Sequence, residues 1–115
     1  MTARLVLFAT AALCLACGGG GMTPEQELDK MCEIAGEVAN DGNLARADKI
    51  KAFEDKVVEA GLPTMMKATI RGTATMDDLD RQVEVMTVNM PKTLYEIEGW
   101  KCDNVRDLYQ VASGD

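Results

Sequence analysis

The chain has 115 residues, 47% of them hydrophobic, and a formal charge of −7 from 19 acidic and 12 basic side chains. That balance excludes the basic surface needed to hold nucleic acid. Histidine is absent, which excludes serine–histidine and cysteine–histidine catalysis and any imidazole metal site.

Residues 1–16 have the layout of an export signal. Arg4 precedes an apolar run from Leu5 to Leu13, followed by small residues up to Ala16. The run suits a signal core of about 7–15 residues and falls short of the roughly 20 needed to span a bilayer. Leu15-Ala16-Cys17 followed by Gly18-Gly19-Gly20-Gly21 resembles the lipobox of bacterial membrane lipoproteins. Cys14 stands where that family usually has leucine. The resemblance implies cleavage before Cys17, a diacylglycerol on its thiol, and a glycine tether over 17–22 leading to a domain over 23–115. Ordinary signal cleavage would cut the same bond and leave Cys17 as a free thiol. No aspartate follows Cys17, and by the enterobacterial sorting rule that implies the outer membrane, facing the periplasm. The mature chain would keep 99 of the 115 residues, with 11 basic against 19 acidic side chains once Arg4 is lost.

The first mature helix starts at Thr23-Pro24-Glu25-Gln26, where Thr23 caps, Pro24 takes the first helical position and Gln26 completes a capping box. Leu28, Met31, Cys32, Ala35 and Val38 recur at helical spacing, and Asn40-Asp41-Gly42-Asn43 breaks the pattern. A second helix is expected from Leu44 to Ala60, with Ala47, Ile50, Phe53, Val57 and Val58 inward. Asp48, Lys49, Lys51, Glu54, Asp55, Lys56 and Glu59 should lie on its solvated face. Gly61 is placed as its left-handed stop. A third helix should run from Pro63 to Arg71 with Met65, Met66 and Ile70 inside.

Thr75 is the expected cap of the next helix, with Met76-Asp77-Asp78 in its first turn. Its stripe Leu79, Val83, Met86, Met90, Leu94 and Ile97 continues through Pro91. Proline removes one helical hydrogen bond and crowds the preceding turn, so either one kinked helix or two collinear ones fit, ending at Gly99. Asp103 is the expected cap of a last helix with Val105, Leu108, Tyr109 and Ala112 inward, and residues 113–115 should fray. The fold class is all-α: five or six short antiparallel helices in one bundle with one disulfide.

That disulfide is read from arithmetic. Cys14 leaves with the signal and Cys17 carries lipid, which leaves Cys32 and Cys102 to pair in an oxidising compartment. Cys32 and Cys102, 70 residues apart, lack the C-x-x-C spacing of a redox pair.

Other sites are weighed against plainer roles. Asp77-Asp78-Leu79-Asp80 lacks the glycine and closing glutamate of a calcium loop and reads as a solvated helix start. The methionines offer soft ligands for monovalent copper, with Met65-Met66 as the pair to test, yet most fall on apolar stripes. Trp100 in Gly99-Trp100-Lys101-Cys102 either packs beside the bridge or acts as an aromatic partner contact. The pairing of Met31-Cys32 with Gly99-Leu108 resembles small cysteine-paired helical lipoproteins of Gram-negative bacteria, which implies a fold and no activity.

The expectation is a lipid-anchored envelope protein, not an enzyme, that binds or scaffolds a protein partner. It has no expected cofactor, metal or nucleic acid. The alternative is a periplasmic ligand or metal carrier using an interhelical cavity.

Overall fold

The computed structural model describes residues 21–114. The expected signal over 1–16 and the expected lipid site at Cys17 lie outside the described residues, which form an all-α bundle of five helices with a Cys32–Cys102 disulfide. Helix α1 spans Pro24–Ala39. A short 3-10 turn, Arg46–Asp48, leads into α2, Lys49–Glu59. Helix α3 is Thr64–Thr73. Helix α4 runs continuously over 79–95 and contains a π-helical turn, Val85–Asn89. Helix α5 is Asp103–Ser113. Among the described residues, no helix is long and apolar enough to cross a membrane.

Helix α1 begins as its sequence requires. The Thr23 hydroxyl accepts from the Gln26 amide at 3.1 Å, and the Gln26 side chain accepts from the Thr23 amide at 2.9 Å. Leu28, Met31, Ile34, Ala35 and Val38 form its buried face and pack chiefly on α5, through Val105, Leu108 and Tyr109. Phe53 and Val57 of α2, Met66 and Ile70 of α3, and Met86 and Met90 of α4 complete the core.

The stop of α2 follows from backbone geometry. Gly61 adopts φ +81°, its amide bonds the Val58 carbonyl, and the Leu62 amide reaches back to Val57, both at 3.0 Å. This is a Schellman closure, in which a left-handed residue satisfies the last carbonyls.

Several expectations are corrected. Helix α2 starts at Lys49, not Leu44, leaving Ala47 exposed. Lys49 and Glu54, expected in solvent, are buried, whereas Val58 is exposed. The cap of α4 is Asp78, whose carboxylate accepts from the Asp80 amide at 3.0 Å. Thr75 instead bonds the Gly72 carbonyl at 2.8 Å, so residues 76–78 precede the helix. The last helix places Cys102, which makes no side-chain capping hydrogen bond, at the capping position expected for Asp103. That helix continues to Ser113 and closes on Gly114.

Pro91 neither breaks α4 nor divides it. A proline ring crowds the carbonyl four residues back, here that of Thr87. The preceding turn widens, with the Met90 amide bonding the Val85 carbonyl five residues back, which gives the ring room. The helix then ends at Tyr95 rather than Gly99, because Glu96 turns left-handed at φ 58° and the Ile97 amide closes on the Pro91 carbonyl.

Candidate functional site

The early stop of α4 sends residues 96–102 along the N-terminal half of α1, and three contacts hold them there. The Tyr95 hydroxyl donates to Glu27 at 2.7 Å. The Trp100 indole N–H donates to Asp29 at 3.1 Å. Cys32 and Cys102 are covalently joined, with Cα atoms 5.9 Å apart across a sequence separation of 70. Beyond them, the Asn104 amide donates to the Cys32 carbonyl at 3.0 Å. Burial, and then the Glu27 carboxylate that accepts its proton, push the Tyr95 phenol well above its ordinary range.

Trp100 is half-buried against the core edge, a position between core packing and a free aromatic anchor. It lines a groove of about 280 Å³ between the Ile97–Lys101 segment and the π turn of α4. Thr87 and Val88 form the opposite wall, and Lys92, Glu98 and Lys101 add charged side chains to the lining. Val88 is 54% exposed, on the face of α4 opposite the buried Met86. π turns inside α-helices are frequent at functional sites. On the other side of Trp100, a second depression is lined by Glu25, Asp29 and Ile97, within two turns of the point where the tether enters α1.

A second polar cluster lies under α3. Thr73 is buried, its hydroxyl donates to the Ile70 carbonyl at 2.9 Å, and it accepts from the Tyr109 hydroxyl at 2.6 Å. The Gln82 amide donates to the Thr73 and Met76 carbonyls at 2.9 and 3.1 Å. Burial raises the Tyr109 phenol strongly; the Thr73 bond opposes this slightly and the Glu54 charge adds to it. Glu54 is paired with Arg71 at 2.9 Å. The adjoining cavity, between Ile50, Leu79, Gln82 and Tyr109, measures about 170 Å³. That is small beside the roughly 300–1,000 Å³ of ordinary ligand pockets.

The metal candidates do not assemble. Met66 is buried while Met65 is 57% exposed, so the two thioethers point apart. Asp78 caps α4 and Asp80 pairs with Arg106 at 2.8 Å. Among the described residues, no three His, Cys, Asp or Glu side chains converge to hold a metal.

Sequence reasoning did not find Lys49, whose ammonium donates to the carbonyls of Val38 at 2.8 Å and Asp41 at 2.9 Å. A signal existed: α1 has no basic residue in its last turn, so the negative end of that helix needs a cation from elsewhere. Val88 was also overlooked, although it stands two places past Met86 and thus off the stripe.

The class these features define is a small, disulfide-bonded, all-α domain. No protein-family model, no curated protein and no solved structure matches the chain.

Proposed function

We propose that the protein is a lipid-anchored envelope lipoprotein that acts by binding at the membrane rather than by catalysis. The observation that carries this is the sequence Leu15-Ala16-Cys17 followed by four glycines. It resembles a lipidation site with a flexible tether, and the cap of a folded helix, Thr23, stands two residues beyond the last glycine. Cleavage before Cys17 and acylation of its thiol would hold the domain at the bilayer, each buried CH₂ contributing about 0.8 kcal/mol. The destination implied is the periplasmic face of the outer membrane.

The binding element proposed is the groove around Trp100. An aromatic residue with an apolar wall beside it and charged side chains in the lining is the composition of a contact surface. Intact mass of the membrane-extracted protein tests the anchor: the expected species starts at Cys17, carries acyl chains, and gains about two daltons on reduction of one disulfide. A Cys17→Ala variant should move to the soluble fraction. An unacylated mass, with the variant partitioning as the parent does, would overturn the proposal.

A further inference from the structure

We infer that the Trp100 groove docks on the lipid–water interface itself, so that the domain rests on the membrane that anchors it. The inference rests on the proposed acylation of Cys17 and names the partner of that same groove.

Distance is the first argument. Cys17 lies four residues before Gly21, a span of at most about 14 Å. The chain enters α1 at Thr23, and Trp100 meets that helix at Asp29, about 9 Å further along its axis. Even with the tether taut, Trp100 stays within about 30 Å of an acylated Cys17. A short flexible tether gives the attached surface a millimolar effective concentration at its target. A contact too weak to act from solution is therefore occupied.

Chemistry is the second argument. Tryptophan and lysine share the property of an apolar body with a polar end, which suits them to the boundary between acyl chains and headgroups. Trp100, Ile97 and Val88 supply the apolar part of the groove, and Lys92 and Lys101 also line it. Lys92 pairs at 3.8 Å with Glu98, which also lines the groove, and because both side chains are largely exposed this weak pair can open toward a phosphate. Glu25 and Asp29 border Trp100 on the tether side. Charge attraction to anionic lipid is therefore not the driving force, and docking on zwitterionic lipid should be insensitive to salt.

The chain has a single tryptophan, which reports on this groove alone. Mature acylated protein beginning at Cys17, its mass verified, is reconstituted into phosphatidylcholine vesicles with or without bromine on the upper acyl chain. The expected result is at least twofold quenching of Trp100 emission by the brominated lipid. Quenching by aqueous acrylamide should be at least twofold weaker than in the soluble Cys17→Ala protein. Val88→Glu, at an exposed position, should abolish bromine quenching and leave acylation intact. Emission unchanged by bromine, with acrylamide quenching as strong as in the soluble form, would overturn the inference and leave the groove to a protein partner. Bromine quenching that survives Val88→Glu would also overturn it, since chance collisions of a tethered domain would then account for the signal. An unacylated mass would remove the anchor and this inference together, whereas an acylated but unquenched protein removes the inference alone.

Discussion

The two ends of α1 are held by contrasting means. From Thr23 to Cys32 the helix is clamped by the segment after α4, through Tyr95–Glu27, Trp100–Asp29 and the disulfide. From Gly36 to Asp41 it is closed by Asn40, whose side-chain amide donates to the Gly36 carbonyl, and by one buried lysine reaching across from α2. The covalent clamp acts mainly by restricting the unfolded chain, and its worth grows with loop length. The lysine acts only in the folded state, where it adds a charge-assisted bond to two carbonyls that also accept from the Asp41 and Leu44 amides.

Removing the covalent clamp gives the largest expected effect. Cys32→Ser with Cys102→Ser should lower unfolding free energy by roughly 4 kcal/mol, the chain-entropy value for a 70-residue loop. Urea titration with and without reductant checks it; a loss under 1 kcal/mol would mean that the noncovalent clamp suffices.

Next comes the other end. Lys49→Met keeps the length of the side chain but removes its donors, and should cost about 2 kcal/mol. Hydrogen exchange should rise first in the amides of the 40–48 loop. Uniform exchange across the domain would show that Lys49 supports the whole core instead.

The polar cluster under α3 offers a pH test. Both Tyr95 and Tyr109 keep their protons in the folded state well above their ordinary value, while the unfolded chain loses them near pH 10. Above about pH 10 the unfolded state thus binds fewer protons, and stability should fall as pH rises, having been flat with respect to these groups below it. Tyr109→Phe should cost about 1 kcal/mol at neutral pH and flatten part of the alkaline decline. An unchanged alkaline slope would show that Tyr109 ionises freely.

The smallest effect is at Gly36, where an added Cβ would stand 2.6 Å from the Asn104 side-chain nitrogen. Gly36→Ala gains up to about 1 kcal/mol of helix propensity but displaces Asn104 from the Cys32 carbonyl. It should be neutral or mildly destabilising alone and stabilising by up to about 1 kcal/mol in an Asn104→Ala background. Equal effects in the two backgrounds would dismiss the clash.

Much of this architecture was legible locally. The Thr23–Gln26 capping box, the left-handed Gly61 and the apolar spacing of α1 and α5 depend on neighbours within a turn or two, and such signals are written in consecutive residues. The cysteine pair was legible by arithmetic, because two of the four sulfurs were assigned to the export segment. Of the candidate site, Trp100 was visible as a motif, but its groove was not. That groove exists because Glu96 ends α4 early and because the turn before Pro91 widens, and neither event follows from spacing.

What the amino-acid order determined is therefore the set of helices, both ends of α1, the stop of α2 and the bridge. Tertiary structure alone decided which polar residues go inside. Lys49 and Glu54 sit on a helix whose charges look uniformly solvated, yet one finds the open end of α1 and the other finds Arg71. Burial of a charge is governed by partners distant in sequence, and those partners are chosen only when the helices pack.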